Sequence, residues 1–280
     1  MIDSLRLSVT QQCNLQCLYC HKEGQLQTKK EMTLQEIEDI LKNAKETGIK
    51  KIKVTGGEPL IRNDIVDIIK IIKKHRFEDI SLVTNGVLLA SYARKLKEAG
   101  LQRINIGCDS LSSTVLLKNS TNFKEGLQIA QEVGLHPIKL NMVVLKGIND
   151  TEIYDMITFA RNNNAILQLI ELIQLNVNKE FYQNHFFDLR TIEQELAQKA
   201  VKIIPKEMQN RMQYDCGDVI VEVVRPFSKK FCKNCRRIRI TSDGKIKPCL
   251  MKNDNLVPFK DKSSFIEVIE KKEDNYVQTS

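Results

Sequence analysis

The 280-residue sequence contains no tryptophan and only six prolines and twelve glycines. So little proline and glycine excludes collagen-like and low-complexity chains. Polar side chains interrupt even the most apolar segment, residues 165–175, so no run is long enough for a membrane helix. The first residues also lack the apolar stretch and cleavage site of a secretion signal. We therefore expect a globular cytoplasmic protein that does not bind membranes.

Neither sign of charge is in large excess over the whole chain. The 43 Lys and Arg against 35 Asp and Glu give a formal net charge of +8, which excludes an acidic disordered protein. The excess is local, because residues 225–252 contain ten basic residues and one acidic residue. The sequence therefore predicts one basic patch rather than a uniformly basic surface.

Short β-rich runs alternate with helical patterns over the first 175 residues. Strands are predicted at residues 3–9, 50–55, 79–84, 102–107, 137–144 and 165–173. A helix is predicted after each of the first five strands. The first helix begins with a capping box of Thr33 and Glu36 and stops at Gly48. This alternation is typical of a parallel sheet with right-handed crossovers.

Polar and aliphatic residues alternate within the predicted strands, as at Arg6 and Ser8 or at Lys51 and Lys53. Strands covered by helices on both faces are instead almost continuously apolar. A polar, cationic inner face suits a barrel that receives an anionic ligand, although any single lysine could also face water at a strand end. We predict an α/β fold with a partial (β/α)6 barrel of the TIM type over residues 1–175.

Residues 176–280 are predicted to form a second, C-terminal region. Its first part, residues 176–218, is rich in Asn and Gln and irregular, with one helical period near residues 191–203. Residues 219–224 have the composition of a strand. Residues 237–249 have that of a hairpin around Asp243-Gly244.

Six of the eight cysteines form two groups of three. The groups are Cys13-x3-Cys17-x2-Cys20 and Cys232-x2-Cys235-x13-Cys249. Three ligands are too few for a closed zinc site but suit a four-iron cluster with one iron left open. For the second group, a zinc ribbon completed by a distant His or by Cys216 remains an alternative. Cys108 and Cys216 are most simply small buried hydrophobic residues.

The first group and its surroundings resemble the radical S-adenosylmethionine (SAM) superfamily. Tyr19 precedes the last cysteine of the group, and Gly56-Gly57-Glu58-Pro59 follows the second predicted strand. The resemblance implies that the three thiolates hold a [4Fe-4S] cluster whose open iron binds SAM. A glycine pair permits close approach of the backbone to a ligand, and Glu58 offers an acceptor for the SAM ammonium group.

The second group, in FCKNCRRIRITSDGKIKPCL, resembles the C-terminal motif of the GTP 3′,8-cyclase family. Further similarity lies in KKIKVTGGEPLIRND, LVTNG, KLNMVVLKGIND and VEVVRPF, and the form CHKEG is like archaeal members. The resemblance implies a second [4Fe-4S] cluster that binds guanine. It also implies the conversion of GTP to 3′,8-cyclo-7,8-dihydro-GTP in molybdenum-cofactor (molybdopterin) biosynthesis, through a 5′-deoxyadenosyl radical that abstracts H3′.

The resemblance also assigns individual site residues. The cluster ligands are Cys13, Cys17, Cys20, Cys232, Cys235 and Cys249. The GTP contacts are Arg6, Lys53, Lys139, Arg237 and Arg239. The SAM contacts are Tyr19, Gly56, Gly57, Glu58, Thr84 and Gly107.

Several positions depart from the family pattern. A charge is added at Arg236, and Gly107 stands where a serine is usual. Gln168 and Ile173 replace an Arg and a Met of bacterial relatives, and the chain ends Gln278-Thr279-Ser280 without their Gly-Gly tail. The lead before the first strand is also short. We expect these differences to affect catalytic competence more than fold or cofactors.

Two other functions remain open at this stage. One is a radical SAM enzyme with an auxiliary cluster that acts on another substrate, such as a peptide. The other is a basic Fe-S or zinc protein that binds nucleic acid, although only Phe227 and Phe231 offer stacking aromatics in the basic patch. For the cyclase, the implied partners are GTP, an electron donor of the flavodoxin or ferredoxin type and the next enzyme, cyclic pyranopterin monophosphate synthase. No nucleic acid is expected, and a homodimer is left open.

Overall fold

The computed structural model describes residues 2–112, 122–206, 208–226 and 234–277. Within these residues, twelve strands form one sheet in the order β12-β11-β10-β1-β2-β3-β4-β5-β6-β9-β8-β7. The strands are β1 (Ser4–Ser8), β2 (Lys51–Thr55), β3 (Asp79–Thr84), β4 (Arg103–Gly107), β5 (Ile138–Val144), β6 (Ile166–Glu171), β7 (Lys202–Pro205), β8 (Met212–Asp215), β9 (Ile220–Val224), β10 (Arg237–Ile240), β11 (Lys245–Lys247) and β12 (Val257–Pro258).

Helices follow each of the first six strands. These helices are α1 (Leu34–Glu46), α2 (Ile65–Lys74), α3 (Leu89–Ala99), α4 (Asn122–Glu132), α5 (Ile153–Asn162), α6 (Lys179–His185) and α7 (Arg190–Lys199), and α8 (Lys262–Val277) follows β12. The capping box of α1 is confirmed, since Thr33 Oγ1 accepts from Glu36 N at 3.2 Å and Glu36 Oε2 accepts from Thr33 N at 2.8 Å. No described helix is both long and apolar enough to cross a lipid bilayer.

Strands β1 to β6 lie side by side in chain order, and every neighbouring pair is parallel. This confirms the predicted six-stranded core with a helix after each of the first five strands. The helices cover one face of the sheet, where aliphatic residues such as Leu5, Ile52 and Leu82 are fully buried. The alternate residues point to the opposite face, which is left free for a site.

The C-terminal region extends this sheet at both ends. Strand β10 pairs in parallel with β1, and β9 pairs in parallel with β6, so eight parallel strands run side by side. Antiparallel pairs follow outward, β11 and β12 beyond β10, and β8 and β7 beyond β9. Among the described residues β12 and β7 end the sheet, so the barrel is partial and open. The boundary at residue 175 stays a prediction, and strands from both sides of it share one sheet.

The prediction of an irregular segment over residues 176–218 is wrong in part. The structure contains α6, α7 and the hairpin of β7 and β8 there. The alternation of polar and apolar residues that indicates a half-buried strand is missing from β7, because this edge strand is exposed on both faces. Ile203 is 45% exposed, and Val201 beside the strand is 80% exposed. The hairpin predicted at residues 237–249 is confirmed as β10 and β11.

Candidate active site

The polar face of the sheet lines a cavity of about 1930 Å³. Its wall contains most of the residues predicted for the site, drawn from both cysteine groups and from the strands between them. They are Arg6, Cys13, Cys17, Tyr19, Cys20, Lys53, Gly56, Gly57, Thr84, Gly107, Lys139, Cys235, Arg237, Arg239 and Cys249. Glu58 does not line the cavity, and Cys232 lies outside the described residues.

The first cysteine group lies on the loop that leaves β1 at the carboxyl end of the sheet. The backbone N–H of Leu15 donates to Cys13 Sγ at 3.4 Å, and that of Lys22 donates to Cys20 Sγ at 3.4 Å. Such hydrogen bonds stabilise a thiolate and influence the reduction potential of a cluster that it binds. The loop backbone therefore provides N–H donors to two of its three sulfur atoms.

The donor set of this loop fits a four-iron cluster better than a single metal ion. Within residues 2–112, 122–206, 208–226 and 234–277, no three Cys, His, Asp or Glu side chains converge as the ligands of one ion do. A [4Fe-4S] cluster does not need that convergence, because each thiolate binds a different iron. The fit therefore rests on three thiols of one loop at one edge of the cavity.

The glycine pair after β2 permits a close approach within the protein, and its predicted approach to a ligand stays a prediction. A Cβ on Gly57 would lie 2.0 Å from Gln12 O, and one on Gly56 would lie 2.6 Å from Thr10 O. Instead, Gly57 N donates to Thr10 O and Glu58 N to Gln12 O, both at 2.8 Å. Both glycines also line the cavity. The pair therefore lets the backbone of the cysteine loop lie directly against the end of β2.

Glu58 is buried and does not line the cavity, and its predicted contact with an ammonium group stays a prediction. Its Oε1 accepts from Leu60 N at 3.0 Å and from Thr84 Oγ1 at 2.7 Å. Its Oε2 accepts from Asn85 N at 2.7 Å. The carboxylate thus fixes the ends of β2 and β3 relative to each other, and Thr84, which does line the cavity, is held by it.

Tyr19 anchors the cysteine loop to the far side of the sheet. Its hydroxyl donates to the fully buried Asp109, whose other oxygen accepts from Val143 N at 2.8 Å. Burial and the nearby Asp109 carboxylate raise the pKa of Tyr19 well above its usual value. The phenol therefore stays a neutral hydrogen-bond donor.

A row of cations crosses the cavity wall because the strands pair in register. Arg6 lies between Arg239 of β10 and Lys53 of β2, its direct partners on the neighbouring strands. Lys139 of β5 lies farther along and forms an ion pair with the buried Glu222. Burial alone raises the pKa of Glu222, but Lys139 and Arg211 outweigh it and hold that pKa below its usual value.

Two of these cations have no carboxylate within ion-pair distance in the part of the chain that the structure describes. Lys53 contacts Asn105 Oδ1 at 3.3 Å, and Arg237 contacts Met208 Sδ at 3.1 Å. Burial and neighbouring cations lower the pKa of both groups. In addition, the buried Nε atoms of Arg6, Arg211 and Arg237 have no hydrogen-bond partner within the described part of the chain. Partly buried cations with spare donors indicate a site for a polyanion.

Two cysteines of the second group, near the other end of the sequence, line the same cavity. Cys249 Sγ accepts from Met251 N at 3.5 Å, which repeats the arrangement seen at Cys13 and Cys20. Lys272 of α8 lies 3.6 Å from Cys235 Sγ and also donates to Arg237 O and to Pro248 O. The buried ammonium group thus joins the two described cysteine segments of this motif.

Sequence reasoning missed several residues that support the site. Contacts with predicted site residues are made by Glu23, Asp109, Glu222 and Lys272, and Arg211 contacts Glu222. Its position as the single charged residue of the otherwise apolar strand β9 could have indicated Glu222. Arg211, directly before β8, donates to Gln168 Oε1 at 3.2 Å, so a cation adjoins this departure from the family pattern.

Comparison with known proteins gives the class of this chain. The family model described as "Radical SAM superfamily" matches residues 7–160. The model described as "Molybdenum Cofactor Synthesis C" matches residues 165–274. The chain therefore belongs to the radical SAM superfamily.

Curated relatives narrow the assignment. The chain is 45% identical over 266 residues to "Probable GTP 3',8-cyclase" of Methanothermobacter marburgensis, covering 92% of this chain and 87% of the relative. It is 44% identical to the protein of the same name from Pyrococcus horikoshii, covering 96% and 91%. Within the superfamily, the chain belongs to the family of these proteins.

Solved structures with the same fold include Streptococcus suis SuiB. The TM-score is 0.68 at 18% identity for SuiB bound to its precursor peptide SuiA and 0.64 at 17% identity for SuiB bound to S-adenosylmethionine. The match covers 92% of this chain in both, but only 63% and 62% of those chains. At this identity the likeness concerns the fold alone, and it agrees with the predicted partial barrel of the radical SAM type.

Gly57→Ala should disrupt the cysteine loop and lower iron incorporation, because the added Cβ forces the backbone at Gln12 to move. Gly48→Ala is the matched control, since its φ of +87° carries backbone strain of about 1–2 kcal/mol while nothing lies within 4 Å of the added atom. Iron per chain after anaerobic reconstitution and the thermal midpoint measure the effect. Equal iron content in both variants and the wild type would contradict this role of the glycine pair.

The advantage of the wild type over Lys53→Met in binding inorganic tripolyphosphate should shrink as the pH is raised. Because its pKa is lowered, Lys53 loses its proton well below the usual lysine pKa of about 10.4, and the neutral amine no longer attracts the anion. Titration calorimetry over a pH series measures this difference. Lys50→Met removes an exposed lysine paired with Glu78 and should follow the wild type at every pH. A constant difference between wild type and Lys53→Met would count against the assignment.

Proposed function

We propose that this chain is a radical SAM enzyme that converts GTP to 3′,8-cyclo-7,8-dihydro-GTP. The observation that carries the proposal is a pair of cations, Lys53 and Arg237, that have no carboxylate partner among the described residues and lie in the cavity that the first cysteine loop borders. A triphosphate supplies the negative charge that such a wall lacks. The names of the curated relatives point to the same substrate and reaction.

SAM and a first [4Fe-4S] cluster would lie at the cysteine loop. Cys13, Cys17 and Cys20 would hold the cluster, which when bound supplies the electron that splits SAM into methionine and the 5′-deoxyadenosyl radical that abstracts H3′ of GTP. Tyr19 would keep the loop docked on the sheet through Asp109. Gly56, Gly57, Thr84 and Gly107 line the adjoining wall and would contact SAM, while Glu58 would act by holding Thr84.

GTP would occupy the cationic part of the cavity. Arg6, Arg239 and Lys53 lie side by side on β1, β10 and β2, and Lys139 and Arg237 complete the assigned set. Donors fixed on strands need little reorganisation when they bind phosphate oxygens. The chain would thus hold the ribose near SAM and exclude water from the reacting atoms.

A second [4Fe-4S] cluster is proposed at Cys232, Cys235 and Cys249. Support comes from Cys235 and Cys249, which line the cavity, and from the N–H donor directed at Cys249. An open iron there would face the same space as the phosphate-binding cations and could bind the guanine base. Both described cysteines border the wall rather than a separate closed zinc site.

The two other functions considered from the sequence receive less support. A peptide substrate is named for the SuiB structure, but that likeness concerns the fold alone, and a peptide does not require a wall of buried cations. A nucleic-acid surface requires exposed basic groups, whereas Arg239 is 8% exposed inside the cavity. An electron donor of the flavodoxin or ferredoxin type, cyclic pyranopterin monophosphate synthase as the next enzyme, and a homodimer remain proposals.

The decisive experiment is product analysis after incubation of the reconstituted protein with SAM, GTP and dithionite without oxygen. We expect 5′-deoxyadenosine and a product with the mass of GTP, convertible to a fluorescent pterin. ATP in place of GTP is the matched control and should give neither cyclised product nor stimulated deoxyadenosine formation. Deoxyadenosine formation that GTP does not increase, without a cyclised nucleotide, would overturn the proposal.

Lys139→Ala should weaken GTP binding about tenfold, roughly 1.4 kcal/mol, because a cation of the wall is removed. SAM cleavage in the absence of GTP should persist, since Lys139 lies on β5 and not on the cysteine loop. Lys139→Arg keeps the charge and should retain most of the affinity. Equilibrium binding of GTP and deoxyadenosine formation are measured in parallel. Unchanged GTP affinity in Lys139→Ala would contradict the assignment.

Cys249→Ser should lower the iron content from about eight to about four atoms per chain, because one of two four-iron clusters loses a ligand. Cys216→Ser removes a half-buried thiol outside both motifs and should leave the iron content unchanged. Iron and sulfide analysis with Mössbauer spectroscopy measures the clusters. Four irons and bound zinc in the wild type would exclude the second cluster.

A further inference from the structure

Glu23 is a buried carboxylate on the cavity wall that no prediction assigned to the site. It lies three residues after Cys20 and is 7% exposed. Its Oε1 is 2.9 Å from Arg6 Nη2, and its Oε2 accepts from Arg239 Nη1 at 2.6 Å. Thr55 Oγ1 at the end of β2 also donates to Oε1, at 3.2 Å. One carboxylate therefore contacts two adjacent arginines, one with each oxygen.

The charge of Glu23 is compatible with its burial because of these arginines. Burial on its own raises the pKa of Glu23, but Arg6 and Arg239 outweigh it and bring that pKa down to about 2. The arginines also depend on Glu23, since they are register partners on β1 and β10 and like charges repel. A shared carboxylate allows both guanidinium groups to stay charged and close together.

Glu23 leaves most of the arginine donors unused. A guanidinium group has five N–H donors, and the contacts with Glu23 engage one terminal nitrogen of Arg6 and one of Arg239. Arg6 Nε is buried and has no hydrogen-bond partner among the residues that the structure describes. The two groups are thus held from one side while other donors remain available to an anion. This is the arrangement of a phosphate clamp with a fixed support.

The backbone around Glu23 is held in a conformation that non-glycine residues rarely adopt. Lys22 has φ of 48° and Glu23 has φ of 53°, both in the left-handed region. The following Gly24 packs so tightly that a Cβ there would lie 2.2 Å from Leu250 O, next to Cys249. Such strain persists where the surroundings fix the chain, and here they fix Glu23 between the two cysteine groups.

We propose that Glu23 is a positioning residue that holds Arg6 and Arg239 in the geometry that binds the phosphates of the substrate. Because it follows the first cysteine loop directly, it also ties this geometry to the site of SAM. The proposal rests on the assignment of a nucleoside triphosphate to this cavity. It adds that the negative charge of Glu23 increases the affinity of the site for an anion, because Glu23 holds two cations in a fixed arrangement.

Glu23→Gln tests the proposal, because the amide has nearly the same shape but can accept from only one arginine. We expect affinity for GTP and for inorganic tripolyphosphate to fall about tenfold, while affinity for guanosine stays the same. A general structural defect would instead weaken all three ligands together. Iron content and thermal midpoint are recorded for each variant. Glu171→Gln is the matched control, since Glu171 is a buried carboxylate of the same cavity paired with Arg225, and it should leave phosphate binding unchanged.

A double-mutant cycle with Arg239→Met tests whether Glu23 acts through the arginine. If it does, adding Glu23→Gln to Arg239→Met should weaken tripolyphosphate binding by much less than Glu23→Gln does alone. Glu23→Asp retains the charge but is one methylene shorter, and it should also weaken phosphate binding without affecting guanosine.

Four results would overturn the inference: tighter tripolyphosphate binding by Glu23→Gln, equal losses for GTP and guanosine, strictly additive effects in the cycle, or failure of both Glu23 variants to fold. A wild type that binds tripolyphosphate but neither GTP nor guanosine would instead remove the proposed function. The tripolyphosphate measurements would still test Glu23 in that case.

Discussion

Compensation of buried positive charge is the constraint on which this site depends. Guanidinium and ammonium groups lose hydration inside a cavity and need carboxylates or a bound anion beside them. Glu23 and Glu222 each serve two cations, Arg6 with Arg239 and Lys139 with Arg211. Lys53 and Arg237 are left without such a partner among the described residues. The shortage of carboxylates is what makes the wall selective for a highly charged ligand.

The parallel sheet turns this constraint into geometry. Side chains alternate between the helix-covered face and the cavity, so every second residue of a strand is available for the wall. Because parallel strands pair in register, β10, β1 and β2 bring one cation each to the same level. The first cysteine group reaches the cavity from the loop after β1. The described cysteines of the second group reach it from the C-terminal region. A single sheet therefore sets the spacing of the proposed cofactor and substrate sites.

The elements that depend on local pattern could be predicted from the sequence. The six strands follow from the alternation of polar and aliphatic residues. The capping box of α1 follows from Thr33 and Glu36, which lie three positions apart. The contacts of Glu23 and Lys272 could not be predicted, because Glu23 meets Arg239 and Lys272 meets Cys235 only after distant segments pair. The glycine pair illustrates the same limit: the sequence indicates a close approach, but only the fold shows that the cysteine loop is what approaches.

The position of β1 within the sheet has a consequence for synthesis of the chain. Strand β1 pairs on one side with β2, which follows soon after it, but on the other side with β10, which begins at Arg237. Until that late segment leaves the ribosome, the second edge of β1 exposes unpaired N–H and C=O groups. An open edge of this kind recruits strands from other molecules. A nascent or truncated chain that ends before β10 is therefore prone to aggregate through β1, even when the rest of the parallel core has formed.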